Sequence, residues 1–286
     1  MAGPLLVCDA PHLLYRAFYA LPDSIKGPDG QPTNALLGSV NVTLQVIEEH
    51  APRAIVMCFG AEAAEYRTDA FPAYHADRPP MPDGLAVQWA KAPGLYEALG
   101  WKVLDHSGLE ADDLMHSLAL AEERAGGKAL IFTGDRDMFQ CATENVHVLM
   151  QQARKGFTEM GPDEVREWYG IGPEQVPDFI ALRGDPSDGL PGAKGIGAKT
   201  AADILQRKGD LEHAILGAIR EKPSVRRALI EQADELRSFK EIATLVEVEL
   251  DTVEDRGSDW AGGAKAAREL GMNRLAERLE KLAEDR

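Results

Sequence analysis

Carboxylates recur in four places where an apolar run gives way to a helical pattern. Asp9 closes the run Pro4-Leu-Leu-Val-Cys8, and Glu110, Asp112 and Asp113 open a helical segment. Asp135 and Asp137 follow Ala129-Leu-Ile-Phe-Thr133, and Asp185 and Asp188 lie in Arg183-Gly-Asp-Pro-Ser-Asp-Gly-Leu-Pro191. So many acids gathered together repel one another unless divalent cations offset them, and hard oxygen ligands suit Mg²⁺ or Mn²⁺ rather than zinc. Asp135 and Asp137 are two apart and point the same way in an extended segment, while Glu110 and Asp113 share a helix face near its positive end. Two metals roughly 3.5–4 Å apart, held by such a set, would clamp the attacking and leaving oxygens of a phosphodiester.

Such convergence needs a scaffold whose strands all end on one side. Leu5–Cys8, Ala54–Phe59, Lys102–Leu104, Ala129–Phe132 and Val146–Leu149 read as strands. Helical patterns over Leu13–Ala20, Ala35–Glu49, Leu85–Leu99 and Ala111–Ala125 alternate with them. That alternation means α/β, with a central mixed, mostly parallel sheet covered by helices. Ligands of an open α/β sheet bind outside the carboxyl ends of its strands, where Asp9 and the Asp135/Asp137 pair fall. Pro22–Thr33 is a Gly- and Pro-rich loop, and Ala61–Asp83 shows no clean period.

From about Gly161 the pattern turns helical over Pro162–Tyr169, Pro173–Arg183, Ala198–Lys208, Leu211–Ala218 and Ser224–Leu236. A last amphipathic segment, Ala264–Glu284, aligns Leu270, Leu275, Leu279 and Leu282. The expected units are therefore an α/β core over 1–160 and an all-helical region over 161–286.

Composition sets bounds. The 286 residues, 44% hydrophobic and 27% charged, are those of a globular chain. No run of 18 apolar residues is present, so no membrane span is expected. Cys8, Cys58 and Cys141 are an odd, scattered set beside apolar runs. They read as buried free thiols of a reducing cytoplasm. The net charge of −16 argues against a general polyanion binder. The eight clustered carboxylates supply part of that excess, so nucleic-acid binding must rest on a local cationic face and depend strongly on salt.

Further motifs narrow the reading. They are Leu14-Tyr-Arg-Ala-Phe-Tyr19, Glu65-Tyr-Arg67, Tyr74-His-Ala-Asp-Arg78, Leu109-Glu-Ala-Asp-Asp-Leu114, Thr133-Gly-Asp-Arg-Asp-Met138, Gly184-Asp-Pro-Ser-Asp-Gly-Leu-Pro-Gly192 and Lys194-Gly-Ile-Gly-Ala-Lys-Thr-Ala-Ala-Asp-Ile-Leu205. In this order and spacing, from about Leu5 to Leu245, the chain resembles the bacterial 5′→3′ exonuclease and flap endonuclease family, which includes the N-terminal nuclease domain of DNA polymerase I. It reads as a free-standing member.

The resemblance implies a PIN-like nuclease core, an arch over 61–83 through which a free 5′ end passes, and a helix–three-turn–helix over 183–208. It places Asp9, Glu110, Asp112 and Asp135 round a first metal, Asp137, Asp185 and Asp188 at a second, and Asp113 between them or in support. Asp9, Arg67, His75, Arg78 and Asp135 would be catalytic, with Arg16, Arg67 and Arg78 near the scissile phosphate. Gly192, Lys194, Gly195, Gly197, Lys199 and Thr200, with Arg16, would hold DNA. Glycines there let the backbone approach a phosphate, and the next helix start attracts the anion. K⁺ in the same turn element is also implied, with Ser187 and nearby carbonyls as candidates. Tyr15, Phe18, Tyr19 and Tyr66 are candidates for stacking on a frayed base.

The implied activity is metal-dependent, structure-specific hydrolysis of 5′ flaps and of nicked or 5′-ended duplex DNA to 5′-phosphate and 3′-hydroxyl ends, by a monomer serving replication and repair. The rivals are a flap- or end-binding protein with weakened hydrolysis and an RNA-directed nuclease on the same core. Two departures bear on the choice. The family's aspartate after the strand phenylalanine is Gly60 here, and its arch lysine is His75. Restoring the carboxylate by Gly60→Asp is expected to raise the rate, unless Glu62 or Asp69 already serves in its place.

Overall fold

The computed structural model describes residues 3–152 and 156–285. Strands β1 (Leu5–Asp9), β2 (Ala54–Cys58), β3 (Lys102–Leu104), β4 (Ala129–Phe132), β5 (Val146–Gln152) and β6 (Gly156–Met160) form one sheet in the order β3-β2-β1-β4-β5-β6. The first five are parallel, as expected, and β6 runs antiparallel to β5, pairing Val148 with Met160 and Leu149 with Glu159. Sequence periodicity passes over β6. As a short edge strand it buries only Met160, so it carries no apolar run.

Alternation along the strands divides the core in two. Leu5, Val7, Val56, Cys58, Ile131 and Val148 face one helical layer, and Leu6, Cys8, Ile55, Met57, Leu130 and Phe132 face the other. The helices are α1 (Ala10–Ala20), α2 (Asn34–His50), α3 (Glu65–Ala70), α4 (Asp83–Ala98), α5 (Ala111–Arg124), α6 (Pro162–Tyr169) and α7 (Val176–Arg183). They continue with α8 (Ala198–Lys208), α9 (Leu211–Leu216), α10 (Pro223–Glu231), α11 (Ala233–Ala243), α12 (Trp260–Glu269) and α13 (Asn273–Glu284). The short α3 lies inside the aperiodic stretch 61–83.

Two expected helices are each two. Ser224–Leu236 breaks at Gln232, between α10 and α11. The last amphipathic segment breaks at Gly271, whose φ of 77° is the left-handed conformation that ends a helix. The resulting hairpin also changes the organisation. Leu275 and Leu279 of α13, with Ala264 and Ala267 of α12, are buried in the cluster holding Tyr96, Leu99 and Trp101. The span 161–286 therefore does not pack as one unit: α6–α11 join one face of the sheet and α12–α13 close the other.

No described helix is long and apolar enough to cross a membrane. Cys8, Cys58 and Cys141 are buried free thiols.

Candidate active site

The switch point of the sheet lies between β1 and β4, whose neighbours lead off in opposite directions. Asp9 ends β1 and caps α1, its Oδ1 accepting from the His12 backbone N–H at 2.9 Å. Across the switch point, Thr133 Oγ1 donates to Asp9 Oδ2 at 2.6 Å and accepts from the Asp135 N–H at 3.0 Å. The Asp137 N–H in turn donates to Asp135 Oδ1 at 2.8 Å. One hydroxyl thus fixes the spacing of two strand ends.

Glu110 and Asp112 stand at the start of α5. Glu110 accepts from the Ala64 N–H at 2.8 Å and from the Tyr74 hydroxyl at 2.9 Å, and Arg67 Nη1 pairs with it at 2.9 Å. Asp185 pairs with Arg183 at 2.7 Å and accepts from the Ser187 N–H at 2.8 Å and from the Ser187 hydroxyl. Asp188 Oδ1 meets His75 Nε2 at 3.0 Å and Arg78 at 3.1 Å. His75 holds a φ of 55°, stacks on Tyr74 and bonds the Glu62 carbonyl at 2.8 Å. A left-handed non-glycine backbone is uncommon, and here three side-chain contacts hold it.

These groups surround a cavity of about 670 Å³. Asp9, Glu110, Asp112, Asp135, Asp137, Asp185 and Asp188 all line it, with His75 and Arg78. Withdrawal from water raises Asp112, Asp135 and Asp137 above the usual carboxylate range. Their acidic neighbours raise Asp112 and Asp137 further. For Asp135, burial outweighs the hydrogen bond from Asp137 and the result is about 6. Among the described residues no three acids close on one point as a preformed cage would. Mg²⁺ needs no such cage, because it keeps several waters and takes one or two carboxylates directly. An acid-lined cavity with raised carboxylates fits that demand: cations would lower the mutual repulsion.

Asp113 takes the supporting one of its two expected places, whereas Arg67 and Gly60 differ from expectation. Asp113 lies outside the cavity and is wholly buried; its oxygens meet Arg67 at 2.9 Å, the Tyr66 hydroxyl at 2.8 Å and the Val246 N–H at 3.0 Å. Arg67 does not face the cavity either. It is 3% exposed, paired to Glu110 and Asp113 and donating to the Ile242 carbonyl at 3.1 Å, so it clamps α3 to α5 and α11. At Gly60 a Cβ would fall 2.5 Å from the Leu109 carbonyl oxygen and 2.6 Å from the Ala111 nitrogen. Glycine lets the chain 109–111 pass close by, and aspartate has no room. Glu62 lines the cavity and Asp69 does not.

The expected DNA-holding residues separate by environment. Lys194, Gly195, Gly197 and Lys199 are exposed, and Thr200 is partly buried on α8. Gly195 adopts a φ of 78° in open space, as a backbone presented to a ligand requires. Gly192 is buried, where a Cβ would strike the Gly184 nitrogen at 2.3 Å, so it serves packing of the turn. Arg16 is exposed outside the cavity lining, as is Tyr19, whereas Tyr15 lines it. His12, Trp89, Arg136 and Arg183 also line it, and no sequence motif singles them out as site residues. For His12 and Arg136 the available signal is position, since each lies within three residues of a strand-end aspartate.

A mostly parallel sheet whose carboxyl edge carries an acidic cavity, flanked by a helical turn element, defines a resolvase-like α/β nuclease architecture. Residues 4–170 match the family model for the 5′-3′ exonuclease N-terminal resolvase-like domain, and residues 171–258 match that for the 5′-3′ exonuclease C-terminal SAM fold. The chain belongs to the 5′-3′ exonuclease family. It is 36% identical over 264 residues to the thermostable DNA polymerase I of Thermus thermophilus, covering 91% of this chain and 31% of that protein. With DNA polymerase I of Mycobacterium tuberculosis it shares 40% over 215 residues, 74% of this chain and 24% of the relative. The chain thus spans about a third or less of the curated relatives it matches.

In fold it is similar to a T5 5′-exonuclease with bound zinc ions (TM-score 0.69, 17% identity, 98% of each chain). It is also similar to the catalytic core of Rad2 in complex with DNA substrate (TM-score 0.66, 12% identity, 97% of this chain and 91% of that one).

Proposed function

We propose that the protein is a divalent-metal-dependent 5′ nuclease. It hydrolyses phosphodiesters of DNA bearing a free 5′ end or flap, leaving 5′-phosphate and 3′-hydroxyl products. The observation that carries this reading is the ring of seven carboxylates, drawn from four separate chain segments into one cavity at the sheet's switch point.

When bound, Mg²⁺ or Mn²⁺ would supply charge neutralisation of the phosphate and a nucleophile at neutral pH. Asp9, Glu110, Asp112 and Asp135 would gather round one ion and Asp137, Asp185 and Asp188 round the other, directly or through its bound waters. The protein's own part is positional. Thr133 spaces Asp9 from Asp135, and Arg67 and Tyr74 hold Glu110. Arg78 on the arch, 40% exposed, stands ready for a substrate phosphate. A K⁺ in the turn element would rest on the Ser187 hydroxyl oxygen, whose lone pairs remain free while its hydrogen goes to Asp185, and on nearby carbonyls. The bound zinc of the T5 enzyme and the DNA of the Rad2 complexes support both partners.

A 5′-labelled flap DNA, a nicked duplex and an RNA equivalent, incubated with Mg²⁺, Mn²⁺ or EDTA, test the reading. Metal-dependent release of short 5′ products from DNA is expected. Binding without cleavage in either metal, or cleavage of RNA alone, would overturn it.

A further inference from the structure

Arg136 stands between Asp135 and Asp137 and lines the acidic cavity, yet forms no ion pair among the described residues. Its guanidinium lies instead over the ring of Trp168, 5.3 Å from the centroid. Trp168, near the end of α6, is 48% exposed. Trp168 also borders a second cavity of about 480 Å³, lined too by Tyr169, Lys199 and Gln206. Tyr169 lines both cavities, its ring fixed between Phe139 and Phe179. Arg136, Trp168 and Lys199 thus form a run of cation, aromatic face and cation leading from the carboxylates to the start of α8.

A long cation beside two carboxyl groups would ordinarily fold onto them. An indole face holds the cation without using its N–H donors, which stay available for a two-pronged contact with phosphate. In a chain of charge −16, such a group counters the repulsion a nucleic-acid backbone meets near the acids.

We propose that Trp168 is a positioning residue that holds Arg136 as a phosphate contact. Together with Lys199 it forms the ledge along which a DNA strand passes between the carboxylate cavity and α8. The inference rests on the nuclease reading above.

Steady-state cleavage of a labelled 5′-flap DNA with Mg²⁺, and binding of the same DNA in EDTA by anisotropy, are measured for Trp168→Ala, Trp168→Phe, Arg136→Ala and the Trp168→Ala/Arg136→Ala double variant. Trp168→Ala and Arg136→Ala should each raise KM about tenfold, the size of one charge-assisted contact, with kcat within about twofold. Trp168→Phe, which keeps a ring face, should restore most of the loss. The double variant should be no worse than Arg136→Ala alone, because the tryptophan acts through the arginine. Arg136→Ala should also flatten the log K against log salt slope by about 0.9. Additive losses in the double variant, an unchanged KM in either single variant, or no rescue by phenylalanine overturns the proposal. If the wild-type protein cuts no nucleic acid, the nuclease reading falls first; if it cuts and the variants match it, only this inference falls.

Discussion

Arg67 Nη2 lies 2.9 Å from Asp113 Oδ1, with the arginine side chain 4% exposed and the aspartate fully enclosed. The pair joins α3 to α5, the helix that Glu110 caps and whose first turn holds Asp112. Breaking such a pair leaves an uncompensated buried charge. Arg67→Ala should therefore destabilise the fold by about 3–5 kcal/mol in urea unfolding, with a matching loss of thermal stability. A variant of wild-type stability but weaker DNA binding would instead return Arg67 to the phosphate.

Gly60 lies against the backbone of Leu109–Ala111, at the entry to α5. Gly60→Ala should cost about 1–3 kcal/mol by forcing that backbone away. Gly60→Asp should cost at least as much, and cleavage should fall because Glu110 and Asp112 move. A faster enzyme, or one needing less Mg²⁺, would show that the chain relaxes at little cost.

Asp112 receives no hydrogen bond among the described residues, and burial with nearby acids raises its pKa. Asp112→Asn and Asp135→Asn should lower cleavage by more than the roughly 10–100-fold typical of an outer-shell partner, while DNA is still bound. In EDTA both should melt higher than wild type, by about 2–4 °C for each kcal/mol of relieved repulsion. Near wild-type turnover with Mg²⁺ would remove them from the site.

Protonation gives a further test. Asp135 keeps its proton to about pH 6 in the folded chain but releases it near pH 3.9 when unfolded. Between those values the folded state binds more protons, so stability without metal should fall as pH rises from about 4 to 6. Divalent metal needs the ionised acids, so its stabilisation should be small below that window and grow above it. Melting curves in EDTA and in Mg²⁺ from pH 4 to 8 measure both trends. A metal effect independent of pH would contradict the site.

Lys194 and Lys199 are exposed on either side of Gly195 and Gly197. Replacing both with Ala should weaken duplex binding regardless of sequence and flatten the salt slope by roughly 0.9 for each phosphate left without a cation. An unchanged slope moves the DNA face elsewhere.

The sequence by itself determined the acids, the strands they follow and the side of the sheet on which they meet. Strand period, helix period and a βα junction are local properties, and a carboxylate after a strand must point to the sheet's carboxyl edge. Family motifs then assigned those acids a chemistry. Tertiary structure decided what each residue faces. Glu110 and Asp113 look equivalent in sequence, yet Glu110 reaches the cavity while Asp113 turns inward, because Tyr66, Arg67 and the Val246 N–H, distant in the chain, converge on it. Gly60 reads as a missing carboxylate, but the chain at 109–111, about fifty residues away, leaves space for nothing larger. Trp168 and Arg136 carry no joint signal, since their contact joins segments that only folding brings together. The last helices likewise keep their amphipathic pattern, whereas the face that buries them is set by the far side of the sheet.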